Sequence, residues 1–167
     1  MEISEQDIKN VTMAGLMHDI GHGPFSHLFD RGVIPELLRI KNRSRDDIDN
    51  WEHEDASEMM FEHLIDTCSL DPEKDGLDTK LISRLIKGKV PLYDHYRSWM
   101  YEIVANKRNS FDVDKLDYLS RDEYHCRLRH DNQMQFTHNL IIDNSRIINN
   151  KIAYNVKIVN NIKGIYE

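Results

Sequence analysis

Three of the chain's nine histidines lie within one short segment, HDIGHGPFSH at residues 18–27. Its first two residues, His18 and Asp19, offer an imidazole nitrogen and a carboxylate oxygen side by side, and both groups are good ligands for zinc, iron or manganese. A His-Asp pair alone is a weak signal, because short motifs often arise by chance. Here two glycines and a proline favour a turn that brings His22 and His27 back towards the pair. The segment therefore predicts a catalytic metal site.

The helix that must carry this segment is predicted directly before it. Ser4 and Asp7 have the spacing of a helix start, in which the serine caps free N–H groups and the aspartate lies near the positive end of the helix dipole. From there a helix would run towards His18 and present it at its C-terminal end. The residues expected on the buried side of this helix fall at helical spacing and are Ile8, Val11, Ala14 and Gly15.

After the turn, one or two short helical pieces are predicted, broken at Gly32 and Pro35. Asp30 lies three residues after His27, so on a helical turn its carboxylate could hydrogen-bond to the imidazole and fix one tautomer. The spacing is equally compatible with a solvated Asp30. Asp30 is therefore a candidate partner for His27 with two interpretations left open.

A polar loop is predicted at residues 39–52, and a helix is predicted to open near Trp51. His53 falls at the helix N-terminus, where the positive end of the dipole lowers the pKa of an imidazole and favours a bound anion. His63 has no motif around it and is predicted to be structural. The apolar side chains of this helix predict that much of it is buried, and they are Ala56, Met59, Met60, Phe61, Leu64 and Ile65.

Two further helices and a hairpin are predicted in the rest of the chain. The first helix is capped by Asp78 or Thr79, is closed by Gly88, and would bury Leu81, Ile82, Leu85 and Ile86. The second spans residues 98–107. Near the C-terminus, residues 141–148 and 151–156 are predicted to pair as a hairpin around Asn149-Asn150, with a helical pattern beginning at Val159.

The segment at residues 112–122 carries the other candidate site residues. With helical periodicity its apolar side chains Val113, Leu116 and Leu119 fall on one side. The opposite arc holds Asp114, Asp117, Tyr118, Arg121 and Asp122. Spacing alone favours an ordinary solvated face over a binding site.

Composition limits the protein class. The 167 residues are 40% hydrophobic and 31% charged, which is typical of one soluble globular domain, and no run is long enough to span a bilayer. Cys68 and Cys126 show neither metal-binding nor redox spacing, so reduced thiols and an intracellular location, cytoplasm or nucleus, are predicted. A net charge of −7 argues against nucleic-acid binding through the bulk field. It does not exclude an anionic substrate held by a metal ion and a few cationic side chains.

Three separated blocks carry a family resemblance. They are AGLMHDIGHGPFSH around the His-Asp pair, WEHEDASEMMFEHLI at residues 51–65, and MYEIVANKRNSFDVDKLDYLSRD at residues 100–122. In this order they resemble HD-domain metal-dependent phosphohydrolases, and within them the sterile-alpha-motif and HD-domain dNTP triphosphohydrolases. The resemblance implies a mostly α HD-domain helical bundle with a small β-hairpin near the C-terminus. It implies one HD domain over residues 1–167, truncated at both ends, with its core at 4–125 and a hairpin and the start of a further helix at 140–167.

The resemblance also implies roles for individual residues. His18, Asp19 and Asp114 would hold a divalent metal ion, with iron, manganese, zinc and magnesium as the alternatives. The catalytic residues would be His53, His27, Asp30 and His22, with His27 protonating the leaving 5′-oxygen, Asp30 orienting it, and His53 contacting phosphates or transferring a proton. Lys115 would bind phosphate, while Tyr118 and Asp122 would contact the sugar and its 3′-hydroxyl. The family's site uses a further histidine from a preceding helix, and residues 1–17 contain none.

The implied activity is hydrolysis of a deoxynucleoside triphosphate to the deoxynucleoside and inorganic triphosphate. A nucleotide activator and a homo-oligomer of the full-length protein are the implied partners. Two alternatives stay open at this point. Another HD phosphohydrolase, a nucleotidase or a phosphodiesterase, would use the same metal pair, and a catalytically inactive nucleotide-binding or oligomerisation module would assemble without turnover.

Overall fold

The computed structural model describes residues 3–44, 51–126 and 138–166, and the chain divides into two compact units, Met1–Lys87 and Gly88–Glu167. Helices dominate the described residues, and the strands among them form one two-stranded antiparallel sheet near the C-terminus. The predicted fold class is therefore confirmed, while the assignment of residues 1–167 to one domain stays a prediction. Within the described ranges no helix has both the length and the apolar character needed to cross a membrane.

Helix α1 (Glu5–Met17) begins and ends where the sequence predicted. The Ser4 hydroxyl accepts a hydrogen bond from the Asp7 N–H at 3.1 Å, and the Asp7 carboxylate accepts one from the Ser4 N–H at 3.0 Å. This reciprocal capping box satisfies donors that the first helical turn leaves unpaired. The helix stops one residue before His18, which it presents at its C-terminal end.

The segment after the turn differs from its prediction. A π-helical turn (Phe29–Val33) leads directly into α2 (Ile34–Ile40), so Gly32 lies inside a helical piece and does not break it. Pro35 lies in the first turn of α2, where a missing N–H costs no intrahelical hydrogen bond. The polar loop predicted at residues 39–52 begins after Ile40, and its residues 45–50 lie outside the described part of the chain.

The remaining helices of the first unit are α3 (His53–Thr67), the single-turn α4 (Pro72–Asp75) and α5 (Thr79–Lys87). Helix α5 is the apolar centre of this unit. The four side chains predicted to face inward are completely buried, and full burial of each is worth about 1.5–3 kcal/mol; they are Leu81, Ile82, Leu85 and Ile86. Both α1 and α3 pack against α5, so one apolar helix places the end of α1 and the start of α3.

The buried sides predicted for α1 and α3 are partly wrong. Ile8 is 57% exposed and Met59 is 65% exposed, whereas α1 buries Asn10 and Ala14. The side chain of Asn10 accepts a hydrogen bond from the Asp78 N–H at 2.9 Å. This bond gives the buried Asn10 side chain a polar partner directly before α5. The buried residues of α3 are Ser57 and Phe61. Polar residues are therefore among the buried side chains of both helices.

The second unit contains a 3₁₀ segment, short helices, one long helix and the hairpin. Its elements are the 3₁₀ segment Leu92–Arg97, α6 (Ser98–Val104), α7 (Val113–Cys126), α8 (His138–Asp143), β1 (Ser145–Ile148), β2 (Lys151–Tyr154), a 3₁₀ turn (Val156–Ile158) and α9 (Val159–Gly164). Phe111, Ile141 and Ile158 form its buried apolar cluster, with side chains of α7, β2 and α9 packed around it.

The predicted hairpin is confirmed, although it is shorter than expected. Strands β1 and β2 pair antiparallel with Ile148 opposite Lys151, and the two-residue turn between them has φ of +51° at Asn149 and +60° at Asn150. Asparagine tolerates this left-handed conformation better than most residues, and the turn matches the twist of paired strands. Ile141 lies in α8 and not in the first strand, because it packs in the apolar cluster.

Candidate metal centre

His18 closes α1 in a defined orientation. Its ring nitrogen Nδ1 lies 2.7 Å from the Gly15 carbonyl oxygen, which can only accept a hydrogen bond, so Nδ1 carries the proton. The other ring nitrogen, Nε2, then has the lone pair, and it lies 3.3 Å from Asp19 Oδ1. An imidazole held in this tautomer by a backbone carbonyl is the usual arrangement of a metal-binding histidine.

Two parallel imidazoles lie between two carboxylates in the first unit. The rings of His22 and His53 stack with centroids 3.7 Å apart and an angle of 19°. Nδ1 of each ring faces Asp30 Oδ2, at 3.1 Å for His22 and 3.6 Å for His53. Nε2 of each ring faces Asp19 Oδ1 at 3.7 Å. The turn after α1 and the first residue of α3 therefore meet in one cluster.

Burial affects the protonation of His53. Loss of solvent lowers the pKa of His53 below its ordinary value; the nearby Glu54 opposes the shift, and the stacked His22 adds to it. His53 is therefore neutral at neutral pH. Nδ1 of His22 lies within hydrogen-bond distance of Asp30 Oδ2, and Nε2 of the same ring faces Asp19 Oδ1.

The donor set fits a divalent metal ion. One ligand atom each from His22, His27, Asp30 and His53 lies within 4.8 Å of all the others. Asp30 Oδ1 is buried and has no hydrogen-bond partner among the described residues, so this carboxylate oxygen has an unused lone pair inside the cluster. Imidazole and carboxylate together suit zinc, iron and manganese. The types of these ligands and their proximity thus support metal binding in the first unit.

Asp30 pairs with a different histidine from the one predicted. Its hydrogen bond to an imidazole is made with His22 at 3.1 Å, while Nδ1 of His27 lies at 3.8 Å, beyond hydrogen-bond range. The side chain of His27 is 61% exposed, and its ring meets that of His22 edge-on with centroids 5.1 Å apart. His27 is therefore the solvent-facing member of the cluster, and the more buried Asp30 orients His22.

The backbone that carries His27 is strained. Phe25 and Ser26 have φ of +66° and +49°, in the left-handed region that bulky residues rarely adopt. Such strain costs of order 1–3 kcal/mol per residue and is concentrated at functional sites. Just before them, a Cβ on Gly23 would lie 2.2 Å from the Phe29 ring, so only glycine permits this close approach. The tight turn predicted from the glycines and proline is confirmed.

The other candidate residues share α7 in the second unit. The Asp112 side chain caps this helix by accepting from the Lys115 N–H at 3.2 Å. The Lys115 ammonium lies 4.4 Å from the centroid of the Tyr166 ring, a cation–π contact. Tyr118 is 37% exposed. Its partial burial raises the pKa of its hydroxyl, and the nearby Asp114 raises this pKa further.

Asp114 itself is half-buried in the first turn of α7, and Asp122 is exposed. Helical spacing puts Asp114, Tyr118 and Asp122 on one side of α7, as predicted. Asp117 and Arg121 form an exposed ion pair one turn apart, which is typical of a solvated face. The binding roles predicted for this helix stay predictions.

Ser57 was not singled out in the sequence, and the contact that Gly21 makes was not predicted from it. Ser57 is fully buried on α3, and its hydroxyl bonds to the backbone at both His18 and Gly21. Its position four residues after His53 places it on the same side of the helix, and that spacing could have indicated a shared role. Gly21 was recognised as a turn residue but not as the place where this turn touches α3.

Comparison with known proteins identifies a matching family model and several similar proteins. Residues 1–122 match the HD domain family model. The chain is 42% identical over 146 residues to the deoxynucleoside triphosphate triphosphohydrolase SAMHD1 of Homo sapiens, covering 77% of this chain and 22% of that protein. It is 48% identical over 125 residues to the SAMHD1 homolog of Dictyostelium discoideum, covering 75% of this chain and 22% of that homolog. The SAMHD1 of Gallus gallus is 38% identical over 164 residues, covering 88% and 25%. The chain thus spans about a quarter of the length of these relatives.

Proposed function

The chain belongs to the HD domain family, and we propose that it is the catalytic part of a metal-dependent phosphohydrolase that cleaves deoxynucleoside triphosphates to the deoxynucleoside and inorganic triphosphate. The observation that carries this proposal is the cluster in which the stacked His22 and His53 lie between the carboxylates of Asp19 and Asp30. The similarity to triphosphohydrolases named for this reaction supports the choice of substrate.

We place the metal ion on His18 and Asp19 in the first unit. The neighbouring donors His22, His27, Asp30 and His53, which could also hold an ion, are assigned to proton transfer and phosphate contact. The hydrogen bond from Nδ1 of His18 to the Gly15 carbonyl leaves Nε2 as the coordinating nitrogen. Asp114 is proposed as a further ligand on the resemblance alone. A divalent ion bound there would polarise a phosphoryl oxygen and lower the pKa of a bound water. Iron, manganese, zinc and magnesium remain the alternatives.

The protein's own residues would handle protons and phosphate. His27 is the exposed imidazole of the cluster, so it is accessible to a leaving group and is proposed to protonate the departing 5′-oxygen. Asp30 holds the ring of His22 through Nδ1. The neutral His53 lies at the N-terminus of α3, where backbone N–H groups favour an anion, and it is proposed to contact the substrate phosphates.

Lys115, Tyr118 and Asp122 are the proposed substrate contacts of the second unit. They follow one another at spacings of three and four residues on α7, so they share one side of the helix. Lys115 would bind phosphate, Tyr118 would pack on the sugar, and Asp122 would accept a hydrogen bond from the 3′-hydroxyl. A nucleotide activator and assembly into a homo-oligomer belong to the same proposal.

The test is product analysis with the purified chain, dATP and added manganese or iron. We expect inorganic triphosphate and deoxyadenosine, and we expect Asp19→Asn to lose both bound metal and turnover. Asp66→Asn is the matched control, because Asp66 is exposed on α3 and should leave both unchanged. Release of phosphate or pyrophosphate would favour another HD phosphohydrolase, and nucleotide binding without turnover would favour an inactive module. An Asp19→Asn variant that kept metal and activity would contradict the assignment.

A further inference from the structure

Ser57 links α3 to the turn that carries the His-Asp pair. Its side chain is fully buried. The hydroxyl donates to the His18 carbonyl oxygen at 2.6 Å and accepts from the Gly21 N–H at 2.9 Å. One hydroxyl can make both bonds at once, because it has one donor and two acceptor lone pairs. The two backbone groups enclose Asp19, so Ser57 holds both ends of the turn from which Asp19 projects.

The bond from Ser57 satisfies the carbonyl oxygen of His18 at the C-terminal end of α1. The carbonyls of the last helical turn have no partner within the helix, and a buried carbonyl left unpaired is costly. His18 is the C-cap residue of α1, and its carbonyl is satisfied by a side chain from another helix. The end of α1 is therefore fixed to α3 and not only to its own helix.

Gly21 brings the two backbones into direct contact. A Cβ at this position would lie 2.3 Å from the His53 carbonyl oxygen and 2.4 Å from the Ser57 backbone nitrogen. Both neighbours are backbone atoms of the first turns of α3, so they cannot move aside without moving the helix. The turn is thus in contact with the same helical turn that carries His53.

We propose that Ser57 is a positioning residue that sets the distance between the His-Asp pair and His53. His53 and Ser57 lie four residues apart and share one side of α3, so a displacement at Ser57 is transmitted to His53. Nε2 of His53 lies 3.7 Å from Asp19 Oδ1, a distance that depends on this junction. The proposal rests on the proposed function for its catalytic meaning, but the junction can be tested without turnover.

The test compares Ser57→Ala with Ser98→Ala in the same chain. Ser98 is also buried, and its hydroxyl donates to the Asn150 carbonyl, but both of these residues belong to the second unit. The first measurement is the dissociation constant for manganese. Loss of a group that orients metal ligands typically weakens affinity about 10–100-fold, so we expect that loss for Ser57→Ala and little change for Ser98→Ala.

The second measurement is the set of histidine ring resonances in nitrogen-15 NMR spectra recorded without metal. Ser57→Ala should shift the resonances of His18 and His53 and leave that of His63 in place, because His63 lies on the exposed part of α3. Ser57→Cys, with a similar shape and a weaker donor, should give smaller shifts in the same direction. If Ser57→Ala fails to fold, Ser57→Cys supplies both measurements.

Unchanged resonances of His18 and His53 in the Ser57 variants would overturn the proposal, as would an equal loss of manganese affinity in Ser98→Ala. Failure of the proposed function is a separate result. In that case the unaltered chain would bind no manganese and release no triphosphate from dATP, while the NMR comparison would still decide whether Ser57 positions the two histidines.

Discussion

Glu102 is a buried carboxylate that connects α6 to Arg108 and to β2 in the second unit. It lies on α6 and accepts two hydrogen bonds from the Arg108 guanidinium, at 2.8 and 2.9 Å, and one from the Ile152 N–H of β2 at 2.8 Å. The contact with Glu102 raises the pKa of Arg108, and the hydrogen bonds are the largest cause of this shift. The substitution Glu102→Gln keeps the shape and one acceptor for Ile152, but it removes the charge and one acceptor for Arg108.

The size of the effect follows from the unequal burial of the two partners. Removing one member of a buried ion pair costs about 3–5 kcal/mol, because the other charge is left unpaired. An exposed pair contributes about 0–1 kcal/mol. Glu102 is buried, but the Arg108 side chain is 45% exposed, so water can replace part of what it loses. We therefore expect Glu102→Gln to lower the free energy of unfolding by about 2 kcal/mol, between these limits.

Urea unfolding of Glu102→Gln, Arg108→Met and the double variant measures this directly. The double variant should be less destabilised than the sum of the two single variants, with a coupling of about 1 kcal/mol or more for residues in contact. Additive effects, or a loss of less than about 0.5 kcal/mol in Glu102→Gln, would be typical of a surface substitution and would refute the reasoning.

Two further predictions concern the cluster and the second unit. His53→Gln should lose triphosphate release at least about tenfold, as expected for removing a group that acts in proton transfer or phosphate contact, while His63→Gln on the same helix should retain it; equal activity of the two variants would remove His53 from the site. Burial raises the pKa of Tyr154 to about 12. Because the unfolded chain releases this proton near pH 10 and the folded protein retains it, the stabilising contribution is complete below pH 10 and is lost as the pH rises towards 12. A shift of two pKa units corresponds to at most about 2.7 kcal/mol, and partial exposure reduces the expected loss to about 1–2 kcal/mol. Tyr154→Phe keeps the ring that meets Phe111 edge-on at 5.2 Å, so its unfolding free energy should fall less steeply over that pH range, and parallel curves would contradict the assignment.

Local chemistry in the sequence determined where several elements begin. The capping pair of Ser4 and Asp7 marks the start of α1, and the two asparagines after Ile148 mark the hairpin turn. The four apolar residues of α5 fall at helical spacing and are completely buried. These signals depend on contacts between residues close in the chain, so they can be recognised without tertiary information. The density of ligands at residues 18–27 likewise predicts a metal site there, and the ligands themselves stay a prediction.

Tertiary packing alone decided which residues meet. Spacing put Asp30 within reach of His27 and left a solvated Asp30 equally open, but the hydrogen bond of Asp30 is made with His22. Phe25 and Ser26 adopt left-handed backbone angles that no simple helical spacing describes. Met59 was expected inside and lies exposed, whereas Ser57 and Phe61 are the buried residues of α3. Pairing across the chain depends on the relative placement of whole helices, and that placement is set by the shared packing on α5. The sequence therefore identified the chemical groups, and the packing of the helices decided their partners.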